Sequence, residues 1–292
     1  MSRSSGLDLF PAKKSMKIGT VYLILLIFLC NCLGRNPEDS LWRRGYNVSW
    51  TGFAEAIDKG DTEALELFFK AGYDSWTPTW VLQHRQFLRS AIGKGHTDVF
   101  FLLVSEGAEI HGMNSDGHYL IHAAARDGRP QILKYLIDQG QDVNASGLHS
   151  ETGKAVVLPP LMAALVRAYS VNISEKREKD FYEVCQLLLS HGANPNWQDP
   201  GDGLTPLYWT VLNRDLRMTK LLIRYGAEPT LPAYEGNTPL VKAACHDGSL
   251  DLVQTLLKGI DGGPRSRMTM QHSFQCARSS KIRSALLKKL EG

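Results

Sequence analysis

The sequence predicts an all-α fold in which about six helix pairs stack into a solenoid. Apolar helical segments that end in glycine recur at intervals of 35, 33, 52, 34 and 33 residues. A second, shorter helical pattern precedes each of them, as in FAEAIDKG and LIHAAARDG. The recurring segments end at Gly72, Gly107, Gly140, Gly192, Gly226 and Gly259.

The composition favours a folded globular protein and shows no low-complexity bias. Hydrophobic residues make up 43% and charged residues 22% of the chain, as in ordinary globular domains. The net charge of +3 resides in residues 1–31, which contain four basic residues and one acidic residue. The rest of the chain is electroneutral, which argues against nonspecific nucleic-acid binding because phosphate contacts need a basic surface.

Residues 1–32 are predicted to be an export segment. Twelve uncharged residues, 18–29, follow three lysines and precede Cys30-Asn31-Cys32. This run is shorter than the roughly 20 apolar residues of a membrane-spanning helix and is typical of a secretory signal. A start at Met16 would give a compact signal, and a start at Met1 is the alternative.

The end of this segment resembles the signal of bacterial lipoproteins, in which a small residue precedes a cysteine that receives lipid. Cys32 is the predicted lipidation site. The bulky Leu29 precedes Cys30, whereas Asn31, which precedes Cys32, is closer to the small residue that the signal requires. We therefore expect a membrane-associated protein of the cell envelope, with residues 33–45 as a polar tether. An ordinary signal peptide, or a single-pass anchor whose repeats face the cytoplasm, remains open.

The repeat carries recognisable turn motifs. The turn before a first helix reads DGLTPL from Asp202 and GNTPL from Gly236, and GANPN from Gly192 follows a second helix. These segments resemble the ankyrin repeat over residues 46–261. His122 alone keeps the histidine of the family's TPLH turn, and the first two units lack TPL, which fits a capping role.

Residue types explain why such units recur. Thr205 and Thr238 are expected to cap first helices, with the following proline in the first turn. Glycine after each second helix is expected to adopt the left-handed conformation that ends it. The pair Ala124-Ala125 allows neighbouring helices to approach, and leucine pairs supply the apolar stripe that stacking buries.

Two segments depart from the regular period. The 52-residue interval implies insertions at 145–158 and 167–179, the first of them where the family extends its hairpin finger. Residues 262–292 are predicted to be a C-terminal capping helix pair, with a local charge of +6 from seven basic residues and Glu291. That charge predicts either a solvated outer face or contact with anionic headgroups or an acidic partner.

The sequence contains none of the common catalytic or nucleotide-binding motifs. His118 and His122 have H-x3-H spacing, but the repeat places one on a turn and the other at a helix start, so no metal site is predicted. Cys185, Cys245 and Cys276 lack CxxC spacing and are predicted to be core thiols, with Cys185 and Cys245 unpaired.

The resemblance implies a non-catalytic scaffold that binds another protein and needs no cofactor, nucleic acid or small-molecule substrate. An enzyme or metal-binding protein with an unrecognised site is the alternative. The partner-binding residues that it implies lie on the fingers and first helices. They are Ser115, Asp116, His118, Arg126, Asp127, Asp202, Leu204, Leu212, Asn213, Glu235, Asn237, Cys245 and His246.

Overall fold

The computed structural model describes residues 36–73, 81–113, 118–148, 156–170, 174–234, 236–247 and 249–291. These residues form two compact units, and each unit is considered by itself. The described part of the first unit comprises 36–56 and 63–73, and that of the second comprises 57–62 and the described ranges between 81 and 291. The predicted export segment, including Cys32, lies outside the described residues.

The described residues contain 15 α-helices, one π-helical segment and one two-stranded ladder. The helices are α1 Pro37–Arg43, α2 Trp50–Lys59, α3 Thr62–Lys70, α4 Val81–Lys94, α5 Thr97–Ser105, α6 Leu120–Arg126, α7 Pro130–Asp138, α8 Pro160–Ser170, α9 Glu175–Ser190, α10 Pro206–Leu212, α11 Leu216–Arg224, α12 Pro239–Val241, α13 Leu250–Lys258, α14 Pro264–Cys276 and α15 Ser280–Glu291. The strands are β1 Gly147–Leu148 and β2 Val156–Val157.

The first unit is held by an aromatic cluster. The Phe53 and Phe68 rings meet edge to face with centroids 5.6 Å apart, and Tyr73 lies 5.2 Å from Phe68. Helix α1 begins at the asparagine cap Asn36 and buries Leu41 completely. The segment predicted to be a polar tether therefore contains a helix with a buried side chain.

The second unit is a stack of helix pairs, as the sequence predicts. First helices α4, α6, α8 and α10 contact their neighbours in order, and the second helices α11, α13 and α15 do the same. Leucines and alanines between the layers are fully buried, among them Ala124, Leu165 and Leu222. The final pair, α14 and α15, packs against the last repeat, which agrees with the predicted capping segment.

The predicted helix caps are present. The Thr205 hydroxyl accepts a hydrogen bond of 3.1 Å from the Tyr208 N–H, and the Thr238 hydroxyl accepts one of 3.2 Å from the Val241 N–H. Proline follows each threonine in the first turn, where no N–H is needed.

The predicted left-handed glycine is found after most second helices but not after the last repeat. Gly226 has φ +85°, whereas Gly259 has φ −89°. A Cβ at Gly259 would lie 2.8 Å from the Ile223 side chain. Close approach to the preceding repeat therefore accounts for glycine there, and the expected left-handed conformation is wrong at this position.

The two insertions take different forms. In the first, Gly147 pairs with Val157 and Leu148 with Val156 in an antiparallel ladder, as expected for an extended finger. The second lies at the junction of α8 and α9, which have 11 and 16 residues where α10 and α11 have 7 and 9. Among the residues that the structure describes, the first insertion therefore contains a strand ladder, whereas the second lengthens a helix pair.

The first helix of the last repeat changes its winding. After three α-helical residues, the chain continues as a π-helix over Lys242–Asp247. Cys245 lies in this segment and forms a disulfide with Cys276 of α14, with Cα atoms 5.2 Å apart. The prediction of core thiols is thus wrong for these two cysteines and holds for Cys185, which is free and buried.

Across the described ranges, no helix is both long enough and apolar enough to cross a membrane.

Candidate protein-binding surface

Two neighbouring fingers, at 197–205 and 231–238, are joined by hydrogen bonds. The Tyr234 N–H donates to the Asp202 carbonyl at 3.1 Å, and the Tyr234 hydroxyl donates to the Pro200 carbonyl at 3.3 Å. The Gln198 side-chain amide donates to the carbonyls of Gly203 and Pro232 at 3.2 and 2.9 Å. These cross-links fix one finger against the next.

Gly203 makes this approach possible. Its φ is +74°, and a Cβ there would lie 2.9 Å from the Tyr234 backbone nitrogen. Any other residue would push the two fingers apart, because the contact involves backbone rather than a flexible side chain. The glycine of the DGLTPL motif therefore sets the spacing of the two fingers.

Several predicted contact residues are accessible on these elements. Asp202 and Asn213 are exposed, Leu212 is 39% exposed at the end of α10, and Leu204 and Asn237 are half-buried. An apolar side chain that keeps this exposure beside polar neighbours is a candidate contact in a protein interface. The last two full repeats thus present a mixed polar and apolar surface.

The two predicted contact residues at the end of α6 differ in their exposure to solvent. Arg126 is exposed, whereas Asp127 is only 8% exposed. The Asp127 carboxylate accepts hydrogen bonds from the Arg126 guanidinium at 3.0 and 3.3 Å, and its backbone carbonyl accepts one from Arg177 at 2.9 Å. Asp127 is therefore engaged in internal bonds and lacks the exposure expected of a groove residue.

His122 is part of the fold and is 3% exposed. Its Nδ1 accepts from the Tyr119 N–H at 3.1 Å, and its Nε2 donates to the Ala145 carbonyl at 2.8 Å. Burial lowers the pKa of the imidazole below its usual value of 6.5. The neutral ring thus ties α6 to the base of the extended finger.

His118 is half-buried, and its ring centroid lies 5.3 Å from that of His122. Within the ranges that the structure describes, no group of three metal-ligating side chains comes together. The H-x3-H spacing is explained by the His122 hydrogen bonds, as the turn pattern predicts.

The other predicted contact residues are not free surface groups or are not described. Cys245 is bound to Cys276, which removes its thiol from any partner contact. Ser115, Asp116 and Glu235 lie outside the described residues, as does the side chain of His246.

A family model for ankyrin repeats in three copies matches residues 53–147, 87–166 and 174–265, more than half of the chain. The chain belongs to the ankyrin-repeat family. The matched residues include all or part of every helix from α2 to α13.

Curated ankyrin relatives resemble only parts of this chain. The B-cell lymphoma 3 protein homolog of Mus musculus is 30% identical over 167 residues, which are 57% of this chain and 34% of that protein. A putative ankyrin repeat protein of Acanthamoeba polyphaga mimivirus is 27% identical over 138 residues, 47% of this chain and 16% of the viral protein. The chain thus covers at most about a third of either relative.

A solved ankyrin domain has the same fold. The crystal structure of the ankyrin repeat domain of Bcl-3, described as a unique member of the IkappaB protein family, matches with a TM-score of 0.56 and 26% identity. The match covers 80% of this chain and 97% of that domain. This agreement confirms the predicted ankyrin solenoid.

Tyr234 is an ankyrin finger residue that the sequence reasoning missed. Its side chain is 68% exposed although its backbone and hydroxyl are hydrogen-bonded to the neighbouring finger. Exposed tyrosines that are already ordered make strong contacts, because little conformational entropy is lost on binding. The sequence cue for Tyr234 was its position next to Glu235, which was already assigned to a finger. A search for aromatic residues near the finger turns would have found it.

A half-buried polar pair links α8 to the start of α11. The Tyr169 hydroxyl donates to the Asp215 carboxylate at 2.9 Å, and the Asp215 carboxylate caps α11 by accepting from the Met218 N–H at 2.8 Å. Burial, with a smaller effect of the Asp215 charge, raises the pKa of the Cys185 thiol to about 12. Cys185 is therefore held as an unreactive thiol within the ankyrin core.

Proposed function

We propose that this chain is a non-catalytic scaffold, exported and lipid-anchored at a bacterial cell envelope, that holds another protein through its fingers and first helices. Ankyrin repeats imply a protein–protein interaction scaffold. The observation that carries the proposal is the cross-linked pair of fingers, which presents the ordered and 68% exposed Tyr234.

The exposed side chains of α10 and of the two joined fingers have the character of a protein interface. Leu212 of the adjacent repeat is 39% exposed, and Asp202 and Asn213 supply polar groups. Interfaces of this kind place a few aromatic and apolar side chains among polar neighbours that exclude water. The scaffold needs no movement to form the surface, because the fingers are already bonded to each other.

Export is supported by a disulfide near the carboxyl end of the chain, far in sequence from the predicted signal. The Cys245–Cys276 disulfide joins the last repeat to the capping pair. Disulfides persist in oxidising compartments such as the bacterial periplasm and are rare in the cytosol. Together with the apolar run before Cys32, the disulfide favours an envelope location over repeats that face the cytoplasm.

Binding is tested by capture from a bacterial envelope extract after cross-linking, followed by mass spectrometry. The double variant Leu212→Ala with Tyr234→Ala should lose the captured protein while keeping helical content. The matched control is Lys134→Ala with Gln186→Ala on second helices α7 and α9, which should retain it. Equal capture by both variants would refute binding through the fingers.

Lipid attachment is tested by mass spectrometry of the mature amino terminus. We expect the processed chain to begin at a lipid-bearing Cys32, and Cys32→Ser to abolish the modification. Cys30→Ser is the matched control and should be processed normally. An unmodified Cys32, or a mature chain that begins upstream of it, would contradict the anchor and leave the binding function standing.

A further inference from the structure

The last three second helices form a continuous outer surface that the proposed function does not use. Helix α11 packs beside α13, and α13 packs beside α15. Helix α11 carries three basic residues and no acidic one, and α15 carries four basic residues against Glu291. This outer surface is therefore strongly basic, whereas the chain from residue 32 onward is neutral as a whole.

A groove of about 680 Å³ lies between α13 and α15. Its floor is apolar and its rim bears four lysines, two of them on the last turn of α15. The lining residues are Leu250, Gln254, Leu257, Lys258, Lys281, Ser284, Ala285, Lys288 and Lys289.

A smaller groove of about 360 Å³ continues the pattern between α9 and α11. The Arg217 guanidinium lies 3.8 Å from the centre of the Tyr182 ring, and Lys220 and Arg224 complete the basic edge. Basic grooves thus occur twice on second helices, and the larger of these two adjoins the most basic part of the chain.

The shape and charge of the α13/α15 groove select its occupant. An apolar floor between two helices accepts the apolar stripe of a third helix, which is a common mode of peptide recognition. Lysines on both edges favour acidic residues beside that stripe, because opposite charges at a rim attract and orient the incoming partner.

Other anionic ligands fit this groove less well. A bilayer surface is flat and reaches the rim lysines, but it does not fill a floor that lies between helices. None of the side chains that line the groove is aromatic, so it lacks the stacking platform that single-stranded nucleic acids use.

We propose that the groove between α13 and α15 is a second docking site, which binds an acidic amphipathic helix of a partner protein. The site uses second helices, whereas the proposed scaffold function uses fingers and first helices. One ankyrin chain would then hold two partners at once, on separate surfaces.

The test uses a fluorescent peptide of about 18 residues, roughly five helical turns, with leucines on one face and glutamates flanking them. Binding to the whole exported chain is followed by fluorescence anisotropy at about 50 and 300 mM salt, and the affinity should fall as the salt rises. Lys281→Glu with Lys288→Glu should weaken binding about tenfold or more. The matched control with the same charge change is Lys94→Glu with Lys134→Glu, which should leave binding unchanged within about twofold.

Filling the groove separates docking from plain charge attraction. Ala285→Trp occupies the floor and keeps every lysine, so peptide binding should again fall about tenfold or more. Gln254→Trp is the second variant, because Gln254 is exposed and its replacement does not disturb the core. Circular dichroism and thermal melting verify that each variant is folded.

Two results would overturn the proposal. Peptide binding that depends on the lysines but survives both tryptophan variants would show an unspecific basic surface. Tighter binding to vesicles of phosphatidylglycerol and phosphatidylcholine than to the peptide, unaffected by the tryptophan variants, would assign the surface to a membrane. Neither result affects the capture of a protein through Tyr234. The groove proposal can therefore be refuted while the proposed scaffold function stands.

Discussion

The side-chain oxygen of Asn144 accepts a hydrogen bond of 2.7 Å from the backbone N–H of Asn194, fifty residues later in the chain. The same Asn144 amide group donates to the Gly192 carbonyl at 2.9 Å. Asn196 repeats the arrangement one unit later, with the Gly226 carbonyl at 3.0 Å and the Glu228 N–H at 2.8 Å. In each of these two repeats, one asparagine thus satisfies two backbone groups of the next repeat.

Removing this bridge should weaken the stack. Asn196→Ala should lower the free energy of unfolding by about 1–3 kcal/mol, because two backbone groups lose their partner. Gln186→Ala, on the exposed face of α9, is the control and should change stability by less than about 0.5 kcal/mol. Urea denaturation followed by circular dichroism measures both variants. Equal denaturation midpoints for Asn196→Ala and the parent chain would show that the asparagine bridge does not stabilise the stack.

The disulfide between Cys245 and Cys276 should stabilise the end of the solenoid. It closes a segment of 31 residues, for which chain entropy predicts about 3–4 kcal/mol as an upper value. Cys245→Ser with Cys276→Ser should therefore melt at a lower temperature than the oxidised parent chain.

Reduction of the disulfide provides the control for the two serine substitutions. Dithiothreitol should lower the melting temperature of the parent chain and leave the double serine variant unchanged. Peptide mapping without reduction gives an independent check. Free thiols at both positions in protein purified from the envelope would contradict the disulfide and withdraw its support for export.

Sequence reasoning predicted the repeat architecture because the repeat is a local pattern. A threonine before a proline caps a helix wherever it occurs, and Thr205 and Thr238 do so through their own hydroxyls. The stacking of helix pairs follows from apolar stripes that no unit buries alone. These features depend on neighbours within a few residues, and the sequence contains them directly.

The errors concern features that no local motif encodes. Cys245 and Cys276 lie close to one repeat period apart, which places them on adjacent first helices, yet the missing CxxC spacing led to the prediction of core thiols. The π-helical winding at Cys245 likewise has no counterpart in the sequence predictions. Asp127 was expected on the surface, but its carboxylate is turned into a bond with Arg126 that no turn motif encodes.

Acid should destabilise the fold through His122. Its pKa is lowered in the folded protein, so the unfolded chain binds a proton first as the pH falls below about 6.5. The stability that the neutral ring contributes is therefore complete above that pH and is lost as the pH falls toward the lower folded value. Protonation would also break the bond from the Tyr119 N–H, because Nδ1 would become a donor.

The measurement compares melting temperatures at about pH 7.5 and pH 5.5. His122→Gln should be less stable than the parent chain at the higher pH and should lose less stability between the two values. His272→Gln, at an exposed position of α14, should keep the parent's pH dependence. If the melting temperatures of the parent chain and of His122→Gln depended on pH in the same way, a group other than His122 would be responsible for the acid sensitivity.

The extended finger offers a test of recognition that spares the fold. Its base cannot be cut, because the Ala145 carbonyl accepts the His122 hydrogen bond and Ala145 is 8% exposed. Residues 147–157 can be replaced by Asp-Gly, since Gly147 pairs with Val157 and a two-residue turn fits such a ladder. The shortened chain should melt within a few degrees of the parent, because the buried Ala145 and its hydrogen bond from His122 are kept. If the finger takes part in recognition, the shortened chain should capture less of the envelope protein that the parent chain retains. Undiminished capture by the folded, shortened chain would mean that the hairpin is a tolerated insertion, and would assign recognition to Leu212, Tyr234 and their neighbours.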